Sequence, residues 1–351
     1  MRNALDDAPD GTPVDEVWCG SVLSGMLIGQ RVMREVGAHG MPIFNVENAC
    51  SSSAAAFSLA VQRVESGACR SALVVGVEKL SDLGGGPLPL VEDDWEVRQR
   101  ISMPAVYAMR AMRYMDEVGG SDSDLAAIAV KNHNNGAANP RAYWTREINA
   151  DDVRASRMIA DPLTLLQCCP SVDGASAVLV GREDFLDHVS PRVRVLASVV
   201  QSGQFTNSYR DMTRSELSER TASLAYEAAG IDAGRVDVAE VHDAFSIAEL
   251  MYYEALGFAQ RGEGPELVRN GVTARDGSLP VNPSGGLLAR GHPIGATGTA
   301  QIAETTLQLR GDAGPVQVAR QPTIGLTHCT GGGIWGFDHG ACTVTLLERV
   351  S

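Results

Sequence analysis

The chain has 351 residues, 44% of them hydrophobic, and a formal net charge of −14. That size and apolar content exceed what one simple domain usually holds and predict two fused or duplicated halves around a large core. The negative balance excludes a polyanion such as nucleic acid as the main partner, while leaving Arg110, Arg113, Lys131 and Arg141 as local candidates to hold a phosphorylated ligand.

Strand and helix patterns alternate along the chain in the manner of stacked α/β layers. Val14 to Ser21 and Met41 to Val46 read as strands, Ser52 to Ser66 as a helix of small residues able to pack between sheets, and Ser71 to Glu78 as a buried strand. Residues 82–165 break the rhythm with Gly84-Gly-Gly-Pro, an acidic patch at Glu92-Asp-Asp, two short helical stretches and the Asn-rich Lys131-Asn-His-Asn-Asn-Gly. An excursion of that length suits an inserted subdomain that covers a substrate. Strand pattern returns at Asp173 to Arg182, and Glu183 to His188 reads as the hinge, giving halves 1–185 and 186–351.

The second half opens with a strand from Arg192, then an amphipathic helix ending near Ala229-Gly230. Arg235-Val-Asp-Val-Ala-Glu-Val-His-Asp then echoes Val14-Asp-Glu-Val-Trp-Cys-Gly. About 40 residues of strand and helix precede the echoed strand in the second half, against thirteen residues of any kind in the first. The first strand and helix of the first half are therefore expected to be missing, with either a start further upstream or another element filling the space.

No run of about twenty apolar residues occurs, and Met1-Arg-Asn-Ala-Leu-Asp-Asp lacks the apolar region of a signal peptide, so a cytoplasmic, membrane-free chain is expected. The seven cysteines are odd in number and without C-x-x-C spacing, and the adjacent Cys168 and Cys169 cannot readily form a relaxed disulfide with each other, which predicts reduced thiols.

Three segments carry chemistry. In Asn45-Val-Glu-Asn-Ala-Cys50-Ser-Ser-Ser, a thiol stands where a strand turns into a helix, and the positive end of the helix dipole favours its thiolate. Cys50 reads either as an activated nucleophile or as a small buried hydrophobe. Asn282-Pro-Ser-Gly-Gly-Leu-Leu-Ala-Arg-Gly-His292-Pro-Ile-Gly-Ala-Thr-Gly is a glycine-dense loop that presents one imidazole and runs into a helix from Gly298 to Leu309. With no Lys-Ser/Thr after its glycines it is not a P-loop, and His292 is either fixed for catalysis or structural. Thr327-His-Cys329-Thr-Gly331-Gly-Gly333 puts a second cysteine before three glycines, whose amides can form an oxyanion hole or merely a tight turn.

Asn48-Ala-Cys50-Ser-Ser, His242-Asp-Ala-Phe245, Asn282 through Gly298, and Cys329-Thr-Gly-Gly-Gly333 resemble the four signature segments of thiolases, in the family's order and over nearly the whole chain. The segments Val130 to Pro140 and Asp161 to Pro170 resemble the sterol-carrier-protein-type or thiolase-like acetyl-CoA acetyltransferase branch. That resemblance implies an α/β thiolase fold, with duplicated βαβαβαββ halves stacked as α-β-α-β-α layers and an inserted covering subdomain.

It also implies an acyl-CoA C-acyltransferase that cleaves 3-ketoacyl-CoA with CoA, or runs the reverse condensation. Cys50 would carry the acyl group as a thioester, and His292, an imidazole titrating near neutrality, would deprotonate it. Cys329 would be the acid/base for the α-carbon. His242, where many thiolases carry Asn, would orient a water toward the enolate oxygen, and the amides of Cys50 and Gly331 would hold the thioester oxygen. CoA would be a substrate, with no metal or redox cofactor. A homodimer or dimer of dimers is implied, as is a small zinc-ribbon/OB-fold partner. The alternatives are a thiolase-fold retro-aldolase, an acyltransferase to a non-CoA acceptor, and a non-catalytic scaffold. Retention of Cys50, His292 and Cys329 together counts against the aldolase and the scaffold, and Cys329 against decarboxylating condensing enzymes. The stretch Ile334 to Cys342 places Trp335, Phe337 and His339 near the expected site, either shaping an acyl pocket or covering an apolar edge.

Overall fold

The structure, a computed structural model, describes residues 13–84, 88, 98–185, 191–204, 211–332 and 339–350. Its helices and strands in chain order are β1 (Glu16–Gly20), α1 (Ile28–Glu35), β2 (Ile43–Val46), α2 (Ser52–Glu65), β3 (Ser71–Glu78), α3 (Met103–Glu117), α4 (Asp122–Ala137), α5 (Ala150–Ala155), β4 (Met158–Ala160), β5 (Leu163–Thr164) and β6 (Gly174–Gly181). There follow β7 (Arg192–Ser202), α6 (Glu216–Ala229), β8 (Val238–Glu240), α7 (Ser246–Ala255), α8 (Gly264–Arg269), α9 (Gly286–Arg290), α10 (Thr297–Arg310), β9 (Ile324–Gly331) and β10 (Ala341–Val350).

Two sheets form the frame, ordered β2-β1-β3-β6 and β7-β10-β9-β8. In the first, β1 runs parallel to β2 and β3, and β3 antiparallel to β6. In the second, β8 runs parallel to β9, and β10 antiparallel to both β9 and β7. A bridge from Ala239 to Val281 extends the second sheet where β2 extends the first. The two sheets thus repeat one another, except that β7 covers the outer edge of β10 while no strand among the described residues covers β6.

Helices α2 and α10 lie together between the sheets, α1 packs outside the first sheet and α6 outside the second, which makes five layers. Small residues make the middle layer possible. A Cβ on Gly298 of α10 would stand 2.5 Å from the Ala54 Cβ of α2, so only glycine lets the axes come this close. The Thr299 amide then donates to Ser53 Oγ at 3.0 Å across the same crossing. Both helices start at the same end of the molecule, so the residues just before them, Cys50 and His292, are delivered to one place.

The segment read as an inserted cover folds differently from expectation. Its helices are long, α3 with 15 residues and α4 with 16, and Lys131 to Gly136 lies within α4 rather than in a loop. Asn132 and Asn135 face inward and are satisfied by the second half, Asn132 donating to Asp243 at 2.7 Å and Glu249 at 2.6 Å and Asn135 to the Asn282 carbonyl at 3.1 Å. Burial with partners removes the cost that makes Asn a poor mid-helix residue. Glu92 to Asp94, the second half of the Glu183 to His188 hinge, and Trp335 and Phe337 lie outside the described residues.

Candidate active site

Four of the residues singled out by sequence meet at the end of the central helix pair. The Cys329 Sγ donates to the Cys50 carbonyl oxygen at 3.2 Å and lies 3.3 Å from Nδ1 of His242. The His242 and His292 rings meet edge to face with centroids 4.9 Å apart. The ligating atoms of Cys50, His242 and His292 all lie within 4.8 Å of one another, a set that a thiophilic cation could also use. Cys329, His242 and His292 are 1%, 3% and 5% exposed, whereas Cys50 is half-buried and open to a reactant. All seven cysteines are free thiols.

Local geometry explains how Cys50 is presented. Ala49 sits at φ 47°, a left-handed conformation that a non-glycine residue adopts at a cost, and this turns the chain sharply from β2 into α2. Ser52 Oγ accepts from the Asn48 amide at 2.8 Å and Ser51 Oγ donates to the Asn48 carbonyl at 2.8 Å, which fastens the turn. The helix end alone does not activate the thiol. Burial pushes the Cys50 thiol up to about 12, against the downward pull of hydrogen bonds from the Gly332 amide and its own amide, with Glu78 and Glu47 adding to the rise. The resting sulfur is therefore protonated, and a base must take the proton.

His292 is placed and prepared for that task. Its Nδ1 lies 2.7 Å from Thr297 Oγ1, and the Thr297 hydroxyl donates its one proton to the Pro293 carbonyl at 3.2 Å. The hydroxyl must therefore accept from Nδ1–H, which leaves Nε2 as the lone-pair nitrogen. Burial and the nearby Arg290 hold this imidazole down at about 3, not near neutrality as the sequence suggested, so it is neutral at working pH with the Nε2 lone pair unprotonated. His242 is held well below its ordinary range by burial and by the neighbouring imidazoles His292, His339 and His328. Because the Cys329 thiol gives its proton to the Cys50 carbonyl, its sulfur accepts from Nδ1–H of His242, again leaving Nε2 free. Burial pushes the Cys329 thiol well above its ordinary value, with Cys50 beside it contributing.

The loops carrying these groups are anchored by buried polar clusters. Glu78, at the end of β3, accepts from the amides of Val22 at 2.9 Å, Leu23 at 2.9 Å and Gly295 at 3.0 Å, tying the His292 loop to the first sheet. Asp243, next to His242, accepts from Leu287 N at 2.6 Å and Asn132 at 2.7 Å. Lys131 pairs with Glu249 at 2.8 Å, and Glu249 also accepts from Asn282 at 2.7 Å. The motifs around 131, 243 and 282 therefore share one buried network that joins α4 to the catalytic loops.

Of the basic candidates for a phosphorylated ligand, Lys131 is committed to Glu249, Arg141 to Glu304 at 2.9 Å, and Arg113 is paired with Glu117. Arg110 is buried and donates to the Met212 carbonyl at 2.9 Å and the Arg214 carbonyl at 2.6 Å. These side chains serve structural contacts. The amide that reaches the Cys50 sulfur belongs to Gly332, one residue beyond Gly331, because Gly331 is still paired with Ala341 in β9 and β10. Residues the sequence did not single out include Thr297, which its position five residues after His292 could have suggested, and Glu78 and Tyr107, for which no sequence signal exists. Tyr107 reaches the site by donating to His339 at 2.8 Å. Among the described residues no helix is long and apolar enough to cross a membrane.

Comparisons with known proteins agree with this geometry. The family model for the thiolase N-terminal domain matches residues 1–184, and that for a thiolase C-terminal domain-like unit matches residues 198–340. The chain is 42% identical over 339 residues to benzoylsuccinyl-CoA thiolase subunit BbsB of Thauera aromatica, covering 95% of this chain and 88% of that protein. It is 39% identical over 341 residues to an acetyl-CoA acetyltransferase of Methanothermobacter thermautotrophicus, covering 94% and 88%. To human sterol carrier protein 2 it is 34% identical, covering 99% of this chain and 66% of that protein. Among solved structures, the Ltp2-ChsH2(DUF35) aldolase superposes with a TM-score of 0.82 at 24% identity, covering 96% of this chain and 87% of that one. The dimeric peroxisomal thiolase of Saccharomyces cerevisiae superposes at 0.69 with 18% identity, covering 99% and 86%. With both halves of the chain matched and the layered fold shared, this chain belongs to the thiolase family and is an enzyme of the acyl-CoA acyltransferase type.

Proposed function

We propose that the protein cleaves a 3-ketoacyl-CoA with CoA, or runs the reverse Claisen condensation, through an acyl thioester on Cys50. The observation that carries this reading is the meeting of Cys50, His292, His242 and Cys329, two thiols and two neutral imidazoles, at one half-open point. Nε2 of His292 takes the Cys50 proton as the sulfur attacks the 3-keto carbonyl. The oxyanion is met by the amides of Cys50 and of Gly332, the donor one residue on from Gly331. Collapse breaks the bond between C2 and C3 and leaves the acyl group on sulfur. The departing acetyl-CoA enolate is held by the protonated His292 Nε2 and by a water on His242, and the Cys329 thiol donates a proton to its carbon. CoA then attacks the thioester as its thiol proton passes to the Cys329 thiolate, and His292 returns its proton to the departing Cys50 sulfur, giving a shortened acyl-CoA and acetyl-CoA in total.

Similarity to a protein named for benzoylsuccinyl-CoA supports a bulky, aryl-bearing 3-ketoacyl-CoA as the first substrate. That relative is named as a subunit and the aldolase neighbour is named with a DUF35 component, which supports a small partner polypeptide beside a homodimer or dimer of dimers. The test is chromatographic: incubation with an aryl 3-ketoacyl-CoA and CoA should release acetyl-CoA and the shortened acyl-CoA in equal amounts. Inertness toward the 3-ketoacyl-CoA, with cleavage of the matching 3-hydroxyacyl-CoA to an aldehyde or ketone and a CoA thioester without consumption of free CoA, would favour a retro-aldolase instead.

A further inference from the structure

Beyond the four residues of the site, one set of hydrogen bonds links β9, the strand that carries Cys329, to Gly332 just past its end. Thr330, the next residue, lies 3.2 Å from the Tyr252 hydroxyl. The same Tyr252 hydroxyl lies 3.5 Å from Nε2 of His339, and the Tyr107 hydroxyl lies 2.8 Å from that nitrogen. Nδ1 of His339 lies 2.9 Å from the Gly332 carbonyl oxygen. A carbonyl only accepts, so Nδ1 bears the proton and Nε2 must accept from Tyr107. His339 is therefore held from the tyrosine side through Nε2 and gives its Nδ1 proton to Gly332.

The place where the chain ends matters for chemistry. Gly332 sits at φ 59°, with its Cα side against Ala49, where an added Cβ would come within 3.1 Å of the Ala49 Cβ. Its amide, together with the amide of Cys50 itself, pulls the Cys50 thiol down toward the thiolate. The paired register of β9 and β10 ends at Gly331 and Ala341, and beyond it the Gly332 carbonyl is met by the Gly340 amide at 3.3 Å as well as by the closer His339 ring at 2.9 Å. Tyr107 is a firm support: it is 3% exposed, stacks on Phe245 with centroids 4.5 Å apart and has the Arg110 guanidinium 5.6 Å from its ring centre. Burial and the neighbouring Arg110 hold His339 at about 4, which keeps the ring neutral and able to both donate and accept.

We propose that His339 is a positioning residue that, held by Tyr107, fixes Gly332 so that its amide can stabilise the Cys50 thiolate. The inference rests on the reading of Cys50 as nucleophile, and it assigns to His339 a part in that site that neither of its sequence-level roles, pocket wall or edge cover, includes. His339 acts through the backbone and touches no reacting atom.

The test is the rate at which iodoacetamide alkylates Cys50, followed by mass mapping of the Cys50 peptide across pH, in wild type, His339→Ala, His339→Asn and Tyr107→Phe. Alkylation needs no acyl-CoA, so its result stands whether or not the thiolase reading of the reaction holds. His339→Ala is expected to alkylate roughly tenfold more slowly at pH 8, with the midpoint of the pH profile moved upward, because a hydrogen bond to the thiolate has been lost. His339→Asn, whose amide nitrogen can still donate to the Gly332 carbonyl, should recover most of that rate, and Tyr107→Phe should fall between. Turnover with a working acyl-CoA substrate should lose kcat with KM little changed. Circular dichroism shows whether each variant is folded; if His339→Ala is not, the Asn and Phe variants decide. A folded His339→Ala with the wild-type alkylation profile would overturn the proposal, as would an Asn variant as slow as the Ala variant or a Tyr107→Phe variant indistinguishable from wild type.

Discussion

Thr297 Oγ1 stands 2.7 Å from Nδ1 of His292 and passes its own proton to the Pro293 carbonyl, so one hydroxyl decides which nitrogen of the imidazole is basic. Replacing it by the isosteric Thr297→Val should leave the fold intact and release the ring to the other tautomer. The expected result is a loss of about ten- to a hundredfold in kcat, measured by thiolytic release of acetyl-CoA. Thr297→Ser, which keeps the hydroxyl, should retain most of the activity.

The two cysteines have separable tasks. Cys329→Ala leaves Cys50 and His292 in place, so the enzyme should still take an acyl group from an acyl-CoA onto Cys50. It should fail at proton transfer to or from the α-carbon, with the overall rate lower by about 10²- to 10⁴-fold. Deuterium exchange into the acetyl-CoA methyl group, compared with acyl-enzyme formation on the same sample, separates these steps.

Stability should fall on the acid side of neutrality. His328 is fully buried, with Nε2 2.9 Å from Ser218 Oγ, and burial holds it at about 3, whereas an unfolded histidine titrates near about 6.5. Its folded value is depressed, so the unfolded chain binds the proton first as pH falls. The stability tied to the neutral ring is complete above about 6.5 and is lost progressively toward 3, at roughly 1.4 kcal/mol per pH unit for this one group. His292 and His339 add slope in the same direction. Urea unfolding between pH 7 and pH 5 should show the decline, and a folded His328→Gln should show a shallower one. Burial raises Glu240 to about 7, which works in the opposite sense over this window, so the decisive quantity is the difference in slope between wild type and His328→Gln; no difference would contradict the neutral buried ring.

The buried network beneath the site should tolerate loss of the whole pair better than loss of half. Lys131→Met leaves the Glu249 and Asp243 carboxylates without their ammonium partner and should cost about 3–5 kcal/mol by chemical denaturation. The double change with Glu249→Gln should recover part of it.

Much of this was legible in the sequence because the relevant signals are local. Cys50 before a helix of small residues, and His292 within a glycine-dense turn before another, fix both the crossing helices and the residues at their starts. The central strands were equally plain, since β3 is an unbroken apolar run. What escaped depends on partners distant in the chain. The Asn-rich stretch within α4 reads as a loop until the carboxylates of Asp243 and Glu249 are brought to it. The dipole argument for a Cys50 thiolate misses burial, which outweighs a helix end worth about 1 kcal/mol or less. The neutral state of His292 is missed for the same reason, and Tyr107 lies 57 residues from Cys50 with nothing in its neighbourhood to mark it.

The most direct test of the account is intact-protein mass spectrometry of wild type and Cys50→Ala after incubation with acyl-CoA and 3-ketoacyl-CoA donors. The account predicts a single acyl mass increment on wild type, reversed by added CoA, and none on Cys50→Ala. An increment of the same size on Cys50→Ala, or turnover of substrate by that variant, would show that the bond-making sulfur is not Cys50.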